Sequence, residues 1–284
     1  MYQKVIIIGA PRSGTNMLRD LLVELPGVGT WPCDEINYIW RHGNVLFPSD
    51  QFTPEMASPS IKQYIQGHFD SYANKNNLNV LVEKTCANSL RVDFVNEVVP
   101  DAKYIFIVRD GLDAVGSAML RWKADLDIPY LLKKLRYVPP TDLPYYGLRY
   151  FRHRFYRIFS GEKRLAIWGP VLSEMKAILK KRTLDESCAL QWAVCVDSSE
   201  QAFSHIPSER VLRVKYEDFV LNPVEKFGKV ANFVGKSMSH DFEMKLASRV
   251  SASSVGKGRA QLGVKDIERL TPLIETTLTR YGYR

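Results

Sequence analysis

The stretch Lys4–Leu22, KVIIIGAPRSGTNMLRDLL, decides how this chain folds. Its β-branched run Val5–Ile8 predicts a buried strand and Met17–Leu25 a helix, with Gly9, Pro11 and Gly14 in a tight turn between them. Such a turn, feeding a helix N-terminus, aims backbone N–H groups and the positive end of the helix dipole at one spot, which suits a phosphate. Gly9 and Gly14 keep the glycine spacing of the template G-x-x-x-x-G-K-[ST]. The next two residues do not fit it: Thr15 stands in place of the lysine and Asn16 in place of the magnesium-binding hydroxyl. Metal-assisted attack on a β,γ-phosphate has therefore lost two of its recurring parts. What remains is a metal-free cradle of Pro11, Arg12, Ser13, Gly14, Thr15 and Asn16, with Arg12 as its fixed charge. The unit predicts an α/β fold, a P-loop-type parallel sheet flanked by helices.

A second phosphate site is expected in Ala102–Trp122, AKYIFIVRDGLDAVGSAMLRW. The strand Lys103–Val108 runs into the turn Arg109, Asp110, Gly111, and a helix begins near Asp113. Arg109 lies at the carboxyl end of the strand, and Ser117 follows it by roughly two helical turns, so both are placed to reach one phosphate at the mouth of the sheet. Asp110 reads locally as a helix-entry residue. Two such sites on neighbouring strands suit a nucleotide phosphorylated at both ends of its ribose.

PRSGT followed by two residues at a helix start resembles the 5′-phosphosulfate loop of the sulfotransferases that use 3′-phosphoadenosine 5′-phosphosulfate, and the Arg109 and Ser117 pair resembles their 3′-phosphate motif. Around these anchors the pattern is similar to that of bacterial sulfotransferases and tyrosylprotein sulfotransferases. It includes an acidic pair after the first helix (Asp34, Glu35), Lys84 in VEKTCAN, and a V-x-Y-E-[DQ] segment at Val214–Val220 that contains Tyr216. Ser253–Leu262, SSVGKGRAQL, resembles the basic lid over the nucleotide and carries Ser254, Lys257, Gly258 and Arg259. The resemblance implies sulfuryl transfer to an acceptor hydroxyl on a carbohydrate, glycolipid or protein tyrosine. It assigns the base to Glu35, places Lys84 and Arg12 at the transferring group, and requires no metal. GTWPCDE is longer than the corresponding link in the tyrosylprotein enzymes, which leaves Asp34 as a rival base, and His42 is a second rival. Two other classes compete: a P-loop kinase or NTPase using Asp110, and a non-catalytic nucleotide-binding module at a membrane or polysaccharide surface. The missing lysine at position 15 weighs against the first.

Composition agrees with a single domain over residues 1–284. Hydrophobic residues make up 45%, enough for a core. No apolar run reaches the ~20 residues of a membrane-spanning helix, and the amino terminus enters a strand without a signal-peptide pattern, so a cytoplasmic location is expected. Cys33, Cys86, Cys188 and Cys195 show no C-x-x-C spacing and the five histidines form no ligand pair, so free thiols and no metal are expected. The net charge of +8 is dispersed and accompanies no nucleic-acid motif. A polyanionic cofactor, an acidic acceptor or an anionic membrane surface accounts for it. An aromatic-rich helical insertion is expected at about 125–182, where Tyr, Phe, Arg and Lys alternate and Pro129, Pro139, Pro140 and Pro144 break the chain into short pieces.

Overall fold

A computed structural model describes residues 2–122, 138–148 and 167–283 of the chain. Much of the expected insertion, the stretches 125–137 and 149–166, lies outside the described residues. Five parallel strands form one sheet: β1 (Gln3–Ile8), β2 (Val28–Thr30), β3 (Val80–Lys84), β4 (Lys103–Val108) and β5 (Val211–Lys215), in the order β2-β3-β1-β4-β5. Register places Ile7 beside Lys84 on one side and beside Ile105 on the other, so the three central strands end together. A parallel sheet needs both faces covered, and the central runs Val5–Ile8 and Tyr104–Val108 are continuously apolar for that reason.

Alternation along each strand sorts the core into two layers. Ile6, Ile8, Tyr104 and Phe106 face one way, against α3 (Pro59–Lys75), α4 (Val92–Val98), α5 (Gly111–Trp122), the helix Leu184–Phe203 and the helix Lys257–Arg280. Val5, Ile7, Val80, Val82, Ile105 and Ile107 face the other, against Leu18, Leu21 and Leu22 of α1 (Thr15–Leu22) and against Phe219, Phe227 and Val230. Val5 to Ile8 are fully buried, and each such side chain contributes about 1.5–3 kcal/mol. Cys188 and Cys195 are buried in the layer that also holds Tyr104 and Phe106. The helix α1 starts at Thr15, earlier than the apolar periodicity predicts, because Gly14 at φ 91° provides the left-handed entry. Among the described residues, no helix is long and apolar enough to cross a membrane.

Candidate active site

The carboxyl ends of β1, β3 and β4 open onto one mouth, and the loop after β1 lines it. Arg12 has φ 71° there, a left-handed conformation that a side chain with a Cβ rarely adopts. The Ser13 amide closes onto the Ala10 carbonyl at 3.2 Å, while the amides of Gly14, Thr15 and Asn16 find no backbone acceptor among the described residues. They are the open donors of a helix start. Gly14 is required for space as well as for φ, since a Cβ would lie 2.5 Å from the Tyr216 ring.

Arg12 Nε donates to Ser117 Oγ at 2.9 Å, which joins the loop to α5. Arg109 lies beside them. Its Nη1 donates to the Arg12 carbonyl (3.2 Å), and its Nη2 donates to the Ser254 carbonyl (2.6 Å) and to Asp113 Oδ2 (3.3 Å). Its guanidinium stacks 4.6 Å from the centre of the Tyr216 ring, and the Tyr216 hydroxyl meets Ser254 Oγ at 2.5 Å. Burial, with Arg121 and Arg109 nearby, pulls the Arg12 guanidinium below its ordinary pKa against the more distant charge of Asp34, and among the described residues Arg12 forms no ion pair with a carboxylate. Ser13 Oγ and Arg109 Nε are buried without a hydrogen-bond partner among the described residues. An unmet buried donor costs about 1–3 kcal/mol, so crowded cations with unused donors fit an anionic ligand. The segment resembling a lid is in place: Asp113 accepts from the amides of Gly256 (2.7 Å) and Arg259 (3.0 Å), and Arg259 Nε donates to Asp110 (2.8 Å). Lys257 and Gly258 open the helix Lys257–Arg280. Asp110 Oδ1 accepts from the amides of Leu112 and Asp113, as a helix-entry residue does.

On the other side of the loop, Lys84 Nζ donates to Glu35 Oε1 (3.1 Å) and to Asp34 Oδ1 (3.2 Å), with its side chain 1% exposed. The two acids differ in their other partners. Asp34 also takes Arg19 Nη1 at 2.7 Å, whereas Glu35 Oε1 takes the Cys86 amide at 3.2 Å. Burial would raise Asp34, but the Lys84 ammonium and the Arg19 guanidinium outweigh it and hold Asp34 at about 2. Burial likewise opposes the charge on Lys84, yet Glu35, Cys86 and Asp34 together raise its pKa. His42 turns Nδ1 to Asp142 Oδ2 (2.9 Å) and stacks on Tyr64 at 3.8 Å, away from these contacts.

The structure thus brings together Glu35, Lys84 and the loop, and separately Arg12, Ser117, Arg109, Tyr216, Ser254 and Arg259. Sequence reasoning missed Arg19, Asp113 and the Cys86 amide. Arg109 and Asp113 are spaced i, i+4 at a helix entry, a readable pairing signal; nothing in the sequence marks the other two.

A model of the sulfotransferase family matches residues 4–162. Among solved structures, a sulfotransferase domain from the curacin biosynthetic pathway is similar with TM-score 0.56 at 13% identity, over 97% of this chain and 98% of that one. A sulfotransferase domain from the Synechococcus PCC 7002 olefin synthase gives TM-score 0.52 at 16% identity, over 97% and 94%. The sulfotransferase STF9 from Mycobacterium avium gives 0.53 at 14%, over 98% and 76%. At these identities the likeness is one of fold. No curated protein matches the sequence.

Proposed function

The chain belongs to the sulfotransferase family, and from that premise we propose that it moves a sulfuryl group from 3′-phosphoadenosine 5′-phosphosulfate to an acceptor hydroxyl. The acceptor classes it would serve are a carbohydrate, a glycolipid or a protein tyrosine. The observation that carries the reading is the buried Lys84, held by Glu35 beside a loop whose Arg12 forms no ion pair with a carboxylate among the described residues. Bound there, the donor would supply an activated sulfuryl group on a phosphate leaving group.

The open amides of Gly14, Thr15 and Asn16, with Pro11, Ser13 and Arg12, would hold the 5′ end of the nucleotide. Arg109 and Ser117 would hold its 3′-phosphate, and the unpartnered Arg109 Nε has a donor to spare. Tyr216, Ser254, Lys257, Gly258 and Arg259 would cover it and exclude water. Lys84 would neutralise charge at the transferring group, a role in which fixed cations in a desolvated site are worth more than in water. Glu35 would take the acceptor proton. Asp34 is the poorer base, because two cations hold it at about 2 and a base works best with a pKa near the operating pH. His42 is engaged with Asp142 instead.

The test is transfer of labelled sulfate from the donor nucleotide to a panel of carbohydrate, glycolipid, tyrosine-peptide and phenol acceptors, in the presence of a chelator. Labelled product in at least one class supports the reading. Tight nucleotide binding with no transfer to any class would instead mark a binding module.

A further inference from the structure

Behind the Lys84–Glu35 pair lies a carboxylate that this chemistry leaves unused. Glu83 precedes Lys84 on β3, so its side chain leaves the opposite face of the strand, and it is fully buried. Both its oxygens are occupied: Oε1 accepts from Thr85 Oγ1 at 2.5 Å and Oε2 from Asn88 Nδ2 at 3.0 Å. Thr85 Oγ1 in turn accepts from the amide of Ile36, the residue after Glu35, at 3.2 Å. Asn88 sits in the short helical turn Cys86–Leu90, whose first amide donates to Glu35 itself. Asn88 Oδ1 accepts from Arg91 Nε at 2.9 Å, and Arg91 Nη2 donates to Asn37 Oδ1 at 2.5 Å. Glu83 therefore ties together two segments that are distant in sequence, one carrying Glu35 and one supplying the amide on Glu35 Oε1.

We propose that Glu83 is a positioning residue for the acceptor base: through Thr85 and Asn88 it fixes both segments, and so fixes where Glu35 Oε1 sits relative to Lys84. The proposal rests on the reading of Glu35 given above. A buried polar group that meets its partners on every side specifies one local arrangement, and outer partners that orient metal ligands change activity by about 10- to 100-fold when altered, a scale we take over for this metal-free pair. The charged groups facing Glu83 are Lys84 on its own strand, Glu35 from the loop before α2 (Asn37–Trp40), and Arg91 ahead of α4. Burial, with Glu35 adding to it, pushes the Glu83 carboxyl up to about 7 against the Thr85 hydrogen bond, the nearby Trp40 indole and the Lys84 charge. Two donors on two oxygens is the arrangement of the ionised form. Protonation turns one of those oxygens into a donor and breaks the match with Thr85 or Asn88.

The test compares wild type, Glu83→Gln and Thr85→Val in the full chain. Glu83→Gln is expected to keep nucleotide affinity and acceptor KM within about twofold while kcat falls about tenfold or more. The wild-type kcat is expected to show a limb near pH 7 that the variant lacks. Thr85→Val keeps the volume and loses the bond; it should lower kcat similarly, and the double variant should be no worse than the poorer single one. Unchanged kcat and pH profile in Glu83→Gln overturns the proposal, as does a loss of nucleotide affinity in step with kcat, which would mark general structural support. Should Glu83→Gln fail to fold, Thr85→Val carries the comparison of kcat against nucleotide affinity, with the same outcomes for those two readouts. If wild type sulfates no acceptor, the functional reading fails, and Glu83 is then judged by carboxyl carbon-13 NMR. A titration of Glu35 displaced by the substitution supports the positioning role, and superimposable titrations overturn it.

Discussion

Asp34 and Glu35 are adjacent acids that share one lysine, and their other partners separate them: a second cation for Asp34, a backbone amide for Glu35. Glu35→Gln is therefore expected to lower turnover by roughly 10²- to 10⁴-fold with nucleotide affinity nearly unchanged. Asp34→Asn should cost much less, and single-turnover kinetics on both variants checks the order. A larger loss in Asp34→Asn would move the base to that residue. Arg109→Ala is expected to weaken binding of a 3′-phosphorylated nucleotide by on the order of 10- to 100-fold, since charge-assisted hydrogen bonds are worth about 1.5–3 kcal/mol. Calorimetry with the analogue lacking that phosphate should show little change; equal losses would leave Arg109 a role in the fold alone. Stability should depend on pH with two opposed slopes. Asp34 is lowered to about 2 in the folded state, so its contribution is present above its ordinary value of 3.8 and is lost as pH falls through about 2. Glu83 is raised from 4.5 to about 7, so its contribution is present below 4.5 and is lost as pH rises through about 7. Thermal melts across pH 2 to 8 should rise and then decline, and Glu83→Gln should remove the decline. A decline that persists in that variant would assign it to another group.

The elements around the site meet by close approach as much as by hydrogen bonds. On α5, a Cβ at Gly116 would lie 2.4 Å from the Gly258 carbonyl, and one at Gly258 would lie 2.1 Å from the Asp113 carbonyl. Only two glycines let the helix Lys257–Arg280 start this near α5, which is what allows the Arg259 amide to reach Asp113. Gly258→Ala is thus expected to lift residues 252–259 while leaving the sheet intact. Nucleotide affinity should fall by about tenfold or more, far-UV circular dichroism should hold, and tryptic cleavage after Lys257 or Arg259 should accelerate; unchanged proteolysis would contradict it. At this scale the sequence was legible where local chemistry repeats. The strand Lys103–Val108 has the expected bounds, the loop after β1 carries its glycines, and Arg12, Arg109 and Ser117 converge. It was illegible where burial decides the role. VLVEK reads as five residues with two charges, and no pattern reveals that both charged side chains are buried, one behind the other, in β3. Nor does spacing link Glu35 to Lys84, because their contact spans 49 positions and follows from the pairing of β2, which precedes Glu35, with β3.

Across the whole molecule, the order β2-β3-β1-β4-β5 puts the loop after β1 at the centre of the sheet, with the Lys84 strand on one side and the Arg109 strand on the other. The donor end and the 3′-phosphate end of a nucleotide would then be read by different strands, and both strands pack against both layers of helices. The cover over Arg109 comes from much farther along the chain: the Ser254 carbonyl that receives its Nη2 lies 145 positions later. That separation has a meaning during synthesis. All five strands have been made once Lys215 is added, whereas Ser254, Gly256 and Arg259 are still to come, and at ≈ 5–20 residues per second they follow after roughly 2–9 s. For that interval a growing chain has its sheet residues in hand and its arginine uncovered. The proposed nucleotide site is therefore among the last things a ribosome finishes, and messages broken between those codons are expected to yield chains that hold the sheet but grip phosphate poorly.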